Sequence, residues 1–294
     1  MGSSAFTDAA TRNGVPCPAA HALVKLQGPW PAHSMDTSAE NVAQSILAEA
    51  RALAMREPIL GPMLESHVLS HRALAPMMAS ILAARLAGGS MAFEPLRDLL
   101  GEVLTGEPDF ERGLVADVQA VKARDPACTT RLHAFLNLKG FQALQTYRAT
   151  HALWLQGRVE LAHWLSNQAS VKFSVDIHPA AQLGSRLMLD HGTGVVIGET
   201  TVVEDEVSIL QNVTLGGTGK EHGDRHPKVR QGVLIGAGAK VLGNIEVGTM
   251  SKVAAGSVVL KSVPPHCTVA GIPAKVVRRH LGSVAPADEM NQLI

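Results

Sequence analysis

No phenylalanine, tyrosine or tryptophan occurs after Phe173, although six phenylalanines, one tyrosine and three tryptophans lie at or before it. The rear of the chain is rich instead in Gly, Val, Ile and Ala, so two architectures share one polypeptide. Charge of one sign is not in excess. With 26 Lys and Arg against 26 Asp and Glu, no net field draws in nucleic acid or an anionic membrane. Cysteine is scarce: Cys17, Cys128 and Cys267 are odd in number and scattered, which argues against a disulfide framework or zinc spacing. Free thiols of this kind suit a reducing, cytoplasmic compartment. The most apolar stretch, ALAPMMASILAARLA (73–87), contains Arg85 and falls short of the roughly 20 residues a membrane span needs. It reads as a core helix. Residues 1–36 lack the apolar centre of a signal peptide, and one arginine, Arg12, is too few for a transit peptide, so they read as a flexible extension. Neither G-x-S-x-G nor H-E-x-x-H occurs.

A length of 294 residues with 46% hydrophobic and 18% charged content fits a folded chain of one large domain or two ordinary ones. From residue 37 to 172 the apolar spacing is helical. Val42, Ile46, Leu47, Ala50 and Leu53 follow a candidate capping box, Thr37-x-x-Glu40. Further helical patterns cover about 91–104, 109–123 and 139–167, with breaks expected at Gly61-Pro62, Gly88-Gly89 and Asp125-Pro126.

From 173 to 277 the period is six. Branched residues recur at Ile177, Leu183 and Leu189, at Ile197, Val203, Ile209 and Leu215, and at Val229, Ile235, Val241, Val247, Val253 and Val259. An α-helix drifts away from a six-residue period, whereas a parallel β-helix places one inward residue per short strand at that interval. The fold class expected is therefore α+β, an all-α N-terminal part followed by a β-helix, with residues 278–294 as a tail. Two interruptions stand out. Leu189 to Ile197 is eight residues, which inserts two within DHGTGVV, and Leu215 to Val229 is fourteen, which expels GGTGKEHGDRHPK as a loop.

Both interruptions carry histidine: His191 beside Asp190 in the first, His222 and His226 in the second. A lone Asp-His pair is often surface chemistry, and GDRHPK reads equally as a solvated loop or as a carboxylate-binding site through Arg225. GGTGKE is not a phosphate loop, because Thr214 stands where the first Walker glycine belongs and Glu221 follows Lys220. Cys267 and His266, as sequence neighbours, point to opposite sides of a strand. A histidine near carboxylates and an arginine, without a nucleophile of the enzyme's own, suits general-base catalysis on a substrate hydroxyl or amine, with an acceptor such as a thioester that brings its own activation.

DIHPAAQLG (176–184), MLDHGTG (188–194), SILQNVTLGGTGK (208–220), GDRHPKV (223–229), IGAGAKVLGNI (235–245) and AGIPAKVV (270–277) resemble the serine O-acetyltransferases, members of the hexapeptide-repeat acyltransferases. KARDPA (122–127) and LKGFQALQTYR (138–148) extend the resemblance into the helical part. The resemblance implies a left-handed parallel β-helix, trimers or dimers of trimers with sites between subunits, and acetyl transfer from acetyl-CoA to the L-serine hydroxyl without a metal. By position it implies His191 as general base, Asp176 as the carboxylate that orients it, Asp125 and Asp190 as anchors for the substrate ammonium, Arg225 as the carboxylate clamp, and His226 as a second active-site histidine. For acetyl-CoA it points to Gly217, Thr218, Ala237, Lys252 and Ala255. It also implies inhibition by L-cysteine, and docking of the terminal Ile294 into O-acetylserine sulfhydrylase. Gly192 replaces the family's usual alanine, and Met250 and Ala254 replace glycines near the expected cofactor channel. Three alternatives stand beside this reading: another hydroxyl acceptor such as homoserine, a zinc enzyme of the γ-carbonic anhydrase type using His191, His222 and His226, and a silent scaffold.

Overall fold

The computed structural model describes residues 38–89, 91–219, 222–280, 282 and 284–293. The expected extension, 1–36, lies outside them, as do Thr37 and Ile294. Helices come first: α1 (Ala39–Arg56), α2 (Gly61–Leu64), α3 (Leu74–Leu86), α4 (Phe93–Gly106), α5 (Phe110–Arg124), α6 (Arg131–Asn137), α7 (Lys139–Leu155) and α8 (Val159–Phe173). In α1 the buried stripe is Val42, Ala43, Ile46, Leu47 and Ala50; four of these follow the spacing, whereas Leu53, also expected, is only half-buried. The cap is one residue later than expected, since Ser38 accepts the Asn41 N–H at 3.1 Å.

Two breaks differ from the sequence reading. Gly61-Pro62 does not end a helix but opens α2, where the N–H that proline lacks would have had no partner anyway; α1 stops earlier, at Glu57. The 139–167 pattern is two helices, α7 and α8, because the chain turns at Gly157 (φ 76°).

After Phe173, Ser174 takes a left-handed conformation (φ 57°) and the strands begin. They stack into three faces. The first holds β1 (Val175–Ile177), β4 (Val195–Ile197), β7 (Thr214–Gly216), β10 (Lys240–Leu242) and β13 (Val258–Val259). The second holds β2 (Gln182–Leu183), β5 (Val202–Val203), β8 (Lys228–Val229) and β11 (Glu246–Val247). The third holds β3 (Met188–Leu189), β6 (Ser208–Ile209), β9 (Leu234–Ile235), β12 (Lys252–Val253), β14 (Cys267–Gly271) and an antiparallel terminal strand, β15 (Ala274–Arg279). Among the described residues all other pairings of these strands are parallel. The expected parallel β-helix is thus present.

Register explains the period. Ile177, Ile197, Leu215, Val241 and Val259 lie above one another on the first face, Leu183, Val203, Val229 and Val247 on the second, Leu189, Ile209, Ile235 and Val253 on the third. Apart from the half-buried Leu183, each is buried. Burial of such a side chain stabilises by about 1.5–3 kcal/mol, so the column of branched residues is the interior of the prism.

The helices press on the coil that carries the first interruption. A Cβ at Gly140, in the first turn of α7, would lie 2.0 Å from the Leu189 carbonyl oxygen, so only glycine allows this approach. Asp117 of α5 ties the two parts together: it accepts from Arg148 and Gln145 on α7 and from the Leu187 N–H. At the other end the tail folds back as α9 (Pro286–Glu289), where Asp288 accepts from the buried Arg124 Nε at 2.7 Å. Among the described residues no helix is long and apolar enough to cross a membrane.

Candidate active site

The first interruption forms a corner between β3 and β4. Asp190 N–H still donates to Ile209 O at 2.9 Å, as a normal rung. His191 then takes a left-handed φ of 55°, and the two inserted residues turn its side chain outward, leaving it 73% exposed. Its Nε2 stands 3.9 Å from Asp190 Oδ1. Asp125, which caps the C-terminus of α5 and accepts the Ala127 N–H at 2.8 Å, faces the same place. Burial raises the Asp190 pKa, and the Asp125 charge adds to the rise while His191 opposes it. A pair of carboxylates that repel each other in this way attracts a cation.

The second interruption, the loop between β7 and β8, packs on the next corner, after β4. Arg225 Nη2 donates to Glu199 Oε2 at 2.7 Å. The Thr200 hydroxyl accepts from both the Arg225 and His226 N–H groups, at 3.0 and 3.1 Å. His226 is buried, and burial followed by the Arg225 charge lowers its pKa. Its Nδ1 accepts the Thr200 N–H at 3.1 Å. A backbone amide only donates, so the proton of the neutral ring belongs on Nε2, which makes that nitrogen a donor.

His226 lies flat against Gly198. A Cβ there would stand 2.2 Å from its Cδ2 and Nε2. We expect Gly198→Ala to expel the ring and to lower kcat/KM for the acceptor by about 10²-fold, the usual cost of an ångström-scale misplacement. Steady-state kinetics checks it; an unchanged value would leave His226 without a role.

The corners are separated by β4, three residues and so about 10 Å of strand. Among the described residues no hydrogen bond or ion pair joins His191 to Asp176, Arg225 or His226. Asp176 lies exposed at the middle of β1, beside Val196, and its charge acts on His178. The cofactor candidates divide in the same way. Ala237 and Ala255 stack above the His191 corner, linked by the Gly256 N–H to Ala237 O bond at 2.8 Å. Gly217 and Thr218 lie with Arg225 at the other corner, where a Cβ on Gly217 would be 3.4 Å from Arg225 O. Lys252 belongs to neither: it is buried, and its Nζ donates to the tail carbonyls of Asn291, at 3.0 Å, and Leu293. In this arrangement its ammonium fastens the tail. Met250, a departure from the family pattern, carries a left-handed φ of 58° that glycine would adopt without strain.

Cys128 and Cys267 are both buried, and burial raises the Cys128 pKa, which disfavours its thiolate. Among the described residues no group of three or more His, Cys, Asp or Glu side chains is arranged to hold a metal ion. Sequence reasoning passed over Glu199, Thr200 and Gly198. They occupy an unbroken repeat, and nothing in IGETTV marks a corner that receives a loop from 26 residues further on.

Residues 42–146 match the family described as serine acetyltransferase, N-terminal. Serine acetyltransferase of Salmonella typhimurium is 53% identical over 253 residues, which cover 86% of this chain and 92% of the relative. The chain belongs to the serine acetyltransferase family. A serine acetyltransferase solved in complex with cysteine superposes with a TM-score of 0.84 at 51% identity, over 86% of this chain and 98% of that one. The serine acetyltransferase of Brucella abortus strain S19, solved with coenzyme A, gives 0.79 at 51% identity, over 81% and 95%. As a serine acetyltransferase family member the chain is an acyltransferase, and neither the zinc enzyme nor the silent scaffold is favoured.

Proposed function

We propose that this chain transfers the acetyl group of acetyl-CoA to the hydroxyl of L-serine, giving O-acetyl-L-serine and CoA, the first step from serine to cysteine. The observation that carries it is the corner where Asp125 and Asp190 oppose each other beside the exposed His191. The paired carboxylates hold the serine ammonium, and neutral His191 takes the hydroxyl proton as the oxygen attacks the thioester carbonyl. When the tetrahedral intermediate collapses, the C–S bond breaks and the imidazolium returns the proton to the CoA sulfur. Arg225 clamps the serine carboxylate, and the Nε2–H of His226 faces the reacting groups. Asp176, which among the described residues makes no hydrogen bond or ion pair with His191 within its own chain, is assigned to the His191 of a neighbouring chain, whose cationic imidazole it steadies. Gly217, Thr218, Ala237 and Ala255 line the acetyl-CoA channel; Lys252 reaches its phosphates only after releasing the tail carbonyls.

Ammonium and carboxylate of an amino acid sit on one carbon, whereas the two corners of one chain lie about 10 Å apart along β4. The site is therefore read as shared: one chain supplies Asp125, Asp190 and His191, and its neighbour supplies Arg225 and His226. This supports a homotrimer of β-helices, alone or as a dimer of trimers, with residues 37–172 serving oligomerisation and part of the substrate site and residues 173–277 carrying the chemistry. L-cysteine, a serine isostere with the same ammonium and carboxylate, competes for these anchors. The cytoplasm, where free cysteines stay reduced, is the proposed compartment.

A thiol-release assay with acetyl-CoA tests the substrate. Serine is expected to be acetylated in preference to homoserine and to be inhibited competitively by L-cysteine; a preference for homoserine overturns the assignment. The tail 278–294, ending at Ile294, is proposed to dock into O-acetylserine sulfhydrylase. A pull-down is expected to retain the sulfhydrylase with the full chain and to lose it when Ile294 is deleted, and equal retention removes the idea.

A further inference from the structure

We infer that Glu199 is a positioning residue for the substrate carboxylate, acting by holding the guanidinium of Arg225; the inference rests on the reading of Arg225 as the carboxylate clamp. Arg225 leaves the β7–β8 loop on a long, partly exposed side chain that by itself would sample many rotamers. Its fork is fixed at both Nη atoms. Nη2 donates to Glu199 Oε2 at 2.7 Å, and Nη1 donates to Gly223 O at 3.1 Å. A guanidinium has five N–H donors, so Nε–H and one hydrogen on each Nη remain to meet a carboxylate in bidentate fashion.

The backbone end is fixed by the neighbouring residue. Thr200 Oγ1 accepts the Arg225 N–H at 3.0 Å, so the dipeptide Glu199-Thr200 grips the arginine at its main chain and at its tip. Glu199 is well suited to the task. The bonded guanidinium holds its carboxyl below the usual range, so it is charged wherever Arg225 meets an ionised substrate. Two imidazoles, His178 and His226, also act on Glu199, and burial lowers the pKa of each. Nothing in this arrangement places Glu199 on the reacting atoms; it acts through Arg225.

The experiment compares Glu199→Ala, Glu199→Gln, Arg225→Ala and the Glu199→Ala/Arg225→Ala pair in the full chain. Freeing one rotamer-rich side chain is expected to raise the serine KM about tenfold in Glu199→Ala, with kcat and the acetyl-CoA KM changed less than about twofold. Glu199→Gln, whose amide oxygen still accepts from Nη2, is expected to recover most of the loss. The double variant is expected to be no worse than Arg225→Ala, because Glu199 has nothing left to hold. If Arg225→Ala raises the serine KM and Glu199→Ala does not, the positioning role is overturned while the clamp stands. If Arg225→Ala itself leaves the serine KM unchanged, both fall. A parallel rise in both KM values with a lowered thermal midpoint would make Glu199 merely structural and overturn the inference.

Discussion

His191→Ala is expected to lower kcat for acetyl transfer to serine by about 10²–10⁴-fold, the range that a positioned general base contributes. The side chain is 73% exposed, so its removal opens no cavity and breaks no core contact. Thermal unfolding should therefore change little, which separates a chemical loss from a folding loss. His191 also adopts a left-handed φ of 55°, a conformation that alanine tolerates less well, so a His191→Asn variant, better suited to that region, gives a second reading of the same loss. Acetyl transfer within a few-fold of the parent in both variants would remove His191 from the mechanism.

Asp117→Ala carries the largest expected cost in stability. The carboxylate is fully buried and accepts four hydrogen bonds: from Arg148 Nε and Nη2 at 3.0 and 2.7 Å, from Gln145 Nε2 at 3.0 Å and from the Leu187 N–H at 3.0 Å. Removing it strands a largely buried guanidinium and a backbone donor, a loss of about 3–5 kcal/mol. With about 2–4 °C per kcal/mol for a domain of this size class, the thermal midpoint should fall on the order of 10 °C. A fall of under about 2 °C, measured by calorimetry, would mean that water replaces the lost partners. Because Asp117 holds Leu187, the residue that leads into β3 and the His191 corner, activity should fall with stability here, unlike in His191→Ala.

The β-helix was legible because its chemistry repeats. Every sixth side chain from Ile197 to Leu215, and again from Val229 to Val259, meets the same inward environment, and the sequence records it. The phase slips were legible for the same reason: an insertion in a strict period is visible without any knowledge of contacts. The helical part was less so. Gly157 splits a pattern that runs on in apolar residues across the break, and the α6 segment, seven residues, is too short for a period to declare itself. Likewise, Gly61-Pro62 reads as a stop locally, although a proline near a helix start only removes a donor that had no partner.

Sequence alone determined the inward columns, the two interruptions and the residue types that make acid–base and carboxylate chemistry available, because all of these depend on order along the chain. Only the tertiary structure decided what meets what. Asp176 and His191 are fifteen positions apart and would pass for partners, yet among the described residues no hydrogen bond or ion pair joins them, one standing at mid-strand and one at a corner. Glu199 and Arg225 are 26 apart and meet at 2.7 Å, because coil closure returns each corner to the same edge of the prism. Lys252 reads as a phosphate ligand in sequence, and the fold gives its ammonium to the tail carbonyls. Order along the chain fixes the period of a coil, while the stacking of coils, set by backbone hydrogen bonds between successive turns, fixes which side chains share an edge.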